Sequence, residues 1–469
     1  MLRRDMIIFL GFFLLTSLIA LNINPALARM PMIAFLSNRT GDQEVYILFG
    51  DGETEQITKN KARALDPEWS PDGKTIIFAC NIRGGEAFDF LTKDVTDLRS
   101  KQTDLTKGEF GKMTKPRWAP AGSPRILTES TALPNPDNWD IGMLDLSEKP
   151  PTIFNISNVG GQGVGQDLEA SWSPDGTKVA FHSERAGSFD IFIADMTTDK
   201  PGVNQVQLTK DPASDQRARW SPDGTKIVFE SKRDGDWEIF VIDIDGQNLK
   251  QLTDNDKTDR NADWSETGIV FESNRDGNYE IYRMDADGNN QVNLTNDKGK
   301  DSKPLWSPNG AKILFESRRD KNTELYIMDA DGSNVKNLTN NPAKDFSGKW
   351  NPVYFMFPVE PKRKQFTTLG EVKRTTLLQN YPNPFNPETW IPYHLVNEAF
   401  VTVRIYNLKG ELVRSFETRK QPAGAYLNRE KAVYWDGRNN LGQAVASGVY
   451  FYQLLTDRFS QTRRMLMVK

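Results

Sequence analysis

The stretch that decides the fold runs from Trp220 to Gly246 and reads W-S-P-D-G-T-K-I-V-F-E-S-K-R-D-G-D-W-E-I-F-V-I-D-I-D-G, closing a little later at Gln251-Leu252-Thr253. It contains four strand signals, in which β-branched and aromatic residues alternate between turn residues. One strand runs into Trp220, the second covers residues 227–230, the third 238–242, and the fourth ends at 252–253. Pro-Asp-Gly and Asp-Gly supply the turns, because proline fixes φ and glycine accepts positive φ. The unit reads as one antiparallel meander.

The same unit recurs along the chain. Tryptophans stand at 69, 118, 172, 220, 264, 306 and 350, at intervals of about 40–55 residues. Trp69, Trp172 and Trp220 open W-S-P-D-G, Trp264 opens W-S-E-T-G, Trp306 W-S-P-N-G, Trp118 W-A-P-A-G and Trp350 only W-N-P. Four short strands per repeat at this period predict a β-propeller. The first unit, residues 33–58, lacks a leading tryptophan, and Trp350 lacks a complete unit after it. Joined, these fragments make one blade whose closure removes the exposed sheet edges. The expectation is seven blades over residues 29–357, with six as the alternative because the Trp118 unit is degenerate.

The Leu-Thr before the tryptophan, the W-S-P-D-G, the F-x-S-x-R and the Ile-Tyr or Ile-Phe followed by acidic turns together resemble the repeat of the TolB-like propeller family. The resemblance implies the propeller fold. Its members include a periplasmic protein that docks onto a lipoprotein and propeller domains fused to peptidases. The periplasmic member usually has six blades, and the seven-blade count departs from it.

Composition frames the rest. The net charge of −4 does not point to a nucleic-acid binder. Cys80 is the only cysteine, so no intramolecular disulfide can form, and its place after Ile76-Ile77-Phe78 reads as a small buried hydrophobe. Arg3 and Arg4, an apolar run from Met6 to Leu21 and Ala26-Leu27-Ala28 read as a signal peptide over residues 1–28, with an uncleaved anchor as the alternative. The expected location is exported: periplasm, cell surface or medium.

Two charges recur in step. An aspartate stands five residues before a tryptophan at Asp167, Asp215, Asp259, Asp301 and Asp345. An arginine stands four residues past the second-strand phenylalanine at Arg39, Arg185, Arg233, Arg275 and Arg319. The Trp69 and Trp118 units lack both, with Met113 in the aspartate place and Ile82 and Thr131 in the arginine place. A ring of ligand-binding charges is one reading. Their joint presence and absence favours the other, an Arg–carboxylate pair tying two loops of each blade. The D-x-D-G turns at Asp243, Asp285 and Asp329 lack the further ligands of a calcium loop and read as plain turns. Longer loops at residues 83–90, 128–139 and 158–166 nominate Arg83, Phe88, Phe110 and Trp139 as partner-binding candidates, against simple drift in two tolerant blades.

Past residue 357 the composition changes. Residues 358–374 read as a linker and 375–469 as a small Ig-like β-sandwich of short alternating strands. Three prolines around Phe385 make that stretch an edge or an extended lead-in. Y-P-N-P-F-N-P from Tyr381, W-D-G at Trp435 and S-G-V-Y-F-Y from Ser447 resemble the FlgD-like Ig fold and the type A sorting domain of type IX secretion. That resemblance implies an export-associated tail; a retained spacer or assembly module is the alternative.

The expected fold class is therefore all-β, and two functions from different classes remain. The favoured one is a non-catalytic exported scaffold, monomeric, binding a protein or cell-envelope component. It takes no cofactor and no nucleic acid, and meets a membrane only through export machinery. The other is a secreted hydrolase or lyase acting on glycans or peptides. No G-x-S-x-G elbow is present, and the only histidines are His182 and His394. No His/Cys cluster offers a metal site, so no catalytic, cofactor or metal residue is assigned. A carboxylate-pair glycosidase remains compatible with the composition.

Overall fold

The computed structural model describes residues 30–59, 62–120, 123–131, 138–159, 165–196, 200–354, 375–381, 383, 385, 387–418, 420–426 and 431–467. The signal-peptide reading and the linker over 358–374 lie outside them. The described residues are all-β, and none of their segments is a helix long and apolar enough to cross a membrane.

Seven four-stranded antiparallel sheets lie between Pro31 and Trp350. Six are consecutive meanders, each beginning with the strand that ends in a repeat tryptophan: Ala64–Trp69, Met113–Trp118, Asp167–Trp172, Asp215–Trp220, the strand Asp259–Ser265 through Trp264, and Asp301–Trp306. The seventh is the split one. Asp345–Trp350 pairs with Pro31–Ser37, which continues to Glu44–Phe49 and Thr54–Gln56. Each sheet packs against the next, and the split sheet contacts the sheets on both sides of it, so the ring closes.

Local chemistry explains the repeat string. In W-S-P-D-G, Ser221 Oγ donates to Asp223 at 2.6 Å and accepts the Lys226 N–H at 2.9 Å. Asp223 also accepts the Thr225 N–H at 3.0 Å, while Gly224 sits at φ +72°. A side chain at that φ would be strained, which is why glycine holds the position. In the Trp220 unit the fourth strand is only Lys250–Gln251, shorter than the sequence pattern indicates. The ladder stops because the Thr253 hydroxyl, not a backbone carbonyl, accepts the Ile239 N–H, at 2.8 Å.

The second of the longer loops begins later than expected. The strand Arg125–Ser130 extends through Thr128, so the loop starts at Thr131. The register Met113↔Ser130, matching Asp215↔Ser231, also moves the vacant arginine place from Thr131 to position 132, outside the described residues.

The carboxy-terminal segment is a separate β-unit. The strands Leu412–Glu417, Thr402–Asn407, Gly448–Thr456 and Phe459–Met467 form one sheet, against smaller ones that include Thr389–Ile391 with Val433–Trp435. Its core holds Trp435, Tyr452, Tyr393 and Phe385, all almost fully buried. Phe385 N donates to Leu466 O at 3.0 Å, which pins Phe385 beside the last strand, while Pro382 and Pro384 lie outside the described residues.

Candidate functional site: the axial channel and its rim

All five Arg–Asp pairs meet. Arg39 reaches Asp345 at 2.7 Å, Arg185 Asp167 at 3.2 Å, Arg233 Asp215 at 3.0 Å and Arg319 Asp301 at 2.6 Å, and Arg275 bonds Asp259. Each arginine Nε also donates to the second-strand serine: Ser37, Ser183, Ser231, Ser273 or Ser317. The guanidinium lies over two rings of its own sheet; Arg233 is 4.5 Å from the Phe240 centroid and 5.8 Å from that of Phe229. The aspartates are buried and the arginines nearly so. In the Trp69 sheet the aspartate, serine and arginine places hold Ala64, Cys80 and Ile82, and Ala64 pairs with Cys80. Cys80 is thus the counterpart of the buried serine, in a sheet where no arginine needs that hydroxyl.

The innermost strands carry a second regularity. The residue three before each tryptophan is left-handed: Asp66, Lys115, Glu169, Arg217, Asn261, Lys303 and Ser347 have φ between 48° and 56°. Each sits in a β-bulge where two register steps on the second strand face three on the first, as between Gln216 and Arg219. This conformation costs of order 1 kcal/mol per non-glycine residue. Neighbouring sheets offset that cost. The bulge N–H is accepted by a side chain of the preceding sheet: Glu129 for Glu169 at 2.7 Å, Glu230 for Asn261 at 2.6 Å, Glu272 for Lys303 at 2.8 Å and Glu316 for Ser347 at 2.9 Å. His182 Nδ1 fills the same place for Arg217 at 3.4 Å; in the Trp69 sheet that place is Ala79, and the Lys115 N–H is accepted instead by Asp66, the bulge residue of the first strand, at 3.2 Å. The tryptophans tie the seams from the other end. Nε1 of Trp69, Trp172, Trp220 and Trp350 donates to a backbone carbonyl of the preceding sheet at 3.1–3.2 Å.

These bulges line an axial cavity of about 270 Å³. Its cations and carboxylates interleave: Lys115 reaches Glu169 at 2.8 Å and Glu129 at 3.1 Å, and Lys303 reaches Glu316 at 3.1 Å. Burial would raise Glu169, but the charges of Lys115 and Arg219 outweigh it and hold the carboxyl well below its usual range. Burial lowers His182 to about 3, so it is neutral and committed to the seam rather than available as a base.

At the rim, one position recurs that the sequence reading did not single out as a set. The residue before each third strand is Phe88, Trp139, Phe189, Trp237 or Tyr279 in five consecutive sheets, each half-buried. In the last four of these sheets its carbonyl accepts the N–H of the next sheet's aspartate, as Trp237 O does from Asp259 N at 2.7 Å, which fixes these aromatics at the seams. Cations lie over two of the rings: Arg260 and Lys232 over Trp237 at 4.6 and 5.1 Å, Lys300 over Tyr279 at 4.2 Å. The signal was visible as an aromatic just ahead of Glu or Asp in the repeat, but only two members were picked out.

Of the four partner-binding candidates, Phe88 and Trp139 belong to this rim. Phe110 packs with Phe88 on the cluster around Phe90 and Met113. Arg83 is engaged by Asp89 and, at 2.7 Å, by Asp104. The D-x-D-G aspartates serve their turns: Asp243, Asp285 and Asp329 accept Asn248, Asn290 and Asn334 Nδ2 at 2.7, 2.7 and 2.6 Å, and Asp243 and Asp329 also bond Lys226 and Lys312 on the neighbouring strand. Among the described residues no group of three or more His, Cys, Asp or Glu is arranged to hold a metal ion.

Comparison with known proteins agrees with this architecture. Three overlapping stretches, residues 171–270, 200–298 and 267–357, match the TolB beta propeller domain, and residues 394–457 match the FlgD Ig-like domain. A Protein TolB homolog of Chlorobium luteolum is 31% identical over 167 residues, 35% of this chain and 34% of the relative. A Protein TolB homolog of Chlorobium chlorochromatii is 33% identical over 154 residues, 33% of this chain and 31% of the relative. The chain thus spans about a third of the length of these curated relatives. A crystal structure of puromycin hydrolase superposes with a TM-score of 0.56 at 13% identity, covering 79% of this chain and 58% of that one, a likeness of fold.

Proposed function

From a chain that carries TolB-type propeller repeats and a FlgD Ig-like domain, we propose an exported, non-catalytic scaffold that binds a protein of the cell envelope at the rim of its channel. The observation that carries this reading is the rim itself: Phe88, Trp139, Phe189, Trp237 and Tyr279 repeat at one position, half-buried, with cations over two of the rings. Rigid aromatics and arginine, as in the Trp237–Arg260 pair, are the side chains enriched at the centres of protein interfaces. The five arginine–aspartate pairs, by contrast, are enclosed and serve as latches, each within its own sheet. The tail is read as an export-associated domain. The intact mass of the protein from its host tests that: loss of the residues after the propeller marks a processed sorting signal, and retention marks a working module.

The test of the binding reading uses the full exported chain. Trp237→Ala and Tyr279→Ala should each lose a specific envelope protein that the unaltered chain captures, with thermal stability nearly unchanged. Retention of the partner by both variants would sink the rim. Turnover of peptides or glycans, lost on substitution of channel carboxylates, would replace the scaffold with the hydrolase.

A further inference from the structure

The two layers of the channel are not neutralised alike. In the bulge layer every cation has a close partner: Lys115 on Glu129 and Glu169, Lys303 on Glu316, and Arg217 on Asn261 with Glu230 at 3.7 Å. The next layer is formed by the residues just before the tryptophans. In ring order it reads Glu68, Arg117, Ser171, Arg219, Asp263, Leu305 and Lys349. Here Arg117 has Glu68 at 3.1 Å. Lys349 stands 3.8 Å from that same carboxylate, and Arg219 stands 3.9 Å from Glu169, which already serves Lys115. The remaining acid, Asp263, spends an oxygen on the Trp306 N–H at 2.7 Å. Among the described residues, Glu68 is the only carboxylate within hydrogen-bonding distance of any of the three cations, and it reaches only Arg117.

We propose that Arg117, Arg219 and Lys349 form a binding site for a small oxyanion, a carboxylate or phosphate group, inside the channel. All three line the same cavity of about 270 Å³, several water volumes in size. They come from three different sheets, so the rigid ring holds them in place and no induced closure is required. Arg117 and Arg219 offer planar forks suited to two oxygens, and Lys349 adds a point charge. Their mutual repulsion is already felt: the positive charge of Arg117, followed by burial, lowers Lys349 from its ordinary value. An anion between them relieves that repulsion. The site stands whether or not the rim binds a protein, since it uses none of the rim aromatics.

The experiment is calorimetric titration of the intact mature chain with citrate and, separately, with inorganic phosphate, at constant ionic strength. Saturable binding of either is expected, weakened about tenfold or more in Arg219→Gln and in Lys349→Gln. Lys303→Gln, in the neutralised layer, should leave the affinity unchanged. Binding of citrate alone identifies a polycarboxylate ligand, and binding of phosphate alone a phosphate. Absence of binding by both up to about 10 mM overturns the proposal, as does equal affinity in the unaltered chain and in a folded Arg219→Gln protein.

Discussion

Asp190 shows how much the ring demands of single residues. It opens a third strand, is almost wholly buried, and among the described residues its carboxylate is met by Gln207 and Thr209, at 3.1 and 3.3 Å. Burial, then the charge of Asp215, pushes it up to about 6 from an ordinary 3.8. Between those values the folded state binds more protons than the unfolded state. Stability therefore falls as pH rises through this window, and the ionised residue costs roughly 1–3 kcal/mol above it. Asp190→Asn should remove that slope. Thermal midpoints of the two proteins are expected to be similar near pH 4, with the variant higher at about pH 7.5. A gap that stays constant with pH would mean that this carboxyl does not titrate in the window.

Within an element, the latch of arginine, serine and aspartate binds the first and second strands of its sheet. Removing the arginine leaves a buried carboxylate with neutral hydroxyl partners and no countercharge. Arg233→Ala strands Asp215, which is fully buried, and should cost about 3 kcal/mol in denaturant unfolding. Adding Asp215→Asn should recover part of it. If Arg233 were instead a ligand contact, the alanine variant would keep its stability. The latch was legible in the sequence because its members come and go together within one unit. The seam contacts were not. Glu230 and Asn261 lie in different repeats, and only the bulge register brings that carboxylate to that N–H. Likewise the tryptophans were read for their spacing, while their bond to the preceding sheet depends on how sheets stack. The left-handed ring was hidden for another reason: apart from Asp66 and Asn261, it uses residue types that give no hint of positive φ.

For the whole molecule, closure depends on a single pairing, Pro31–Ser37 with Asp345–Trp350. A chain ended before Asp345 keeps six complete sheets but leaves the edge of Pro31–Ser37 unpaired, and such edges recruit other chains. That truncation should elute as aggregates in size-exclusion chromatography, whereas a chain ended just after Tyr354 should not. The overall architecture was readable because seven similar units with a split one leave few ways to satisfy every edge. The channel chemistry was not, because side chains from seven separate strands converge there and no single repeat reveals its neighbours' charges.

The same pairing sets an order in time. The strand Pro31–Ser37 is among the first stretches of the propeller to be synthesised, yet its inner partner arrives some three hundred residues later. Through that interval the earliest strand keeps one flank open to any other extended segment in the cell. Translation at about 5–20 residues per second makes the wait a matter of tens of seconds. The ring cannot seal early, because the delay is carried in the connectivity: the knot cannot be tied until the far end of the thread is in hand.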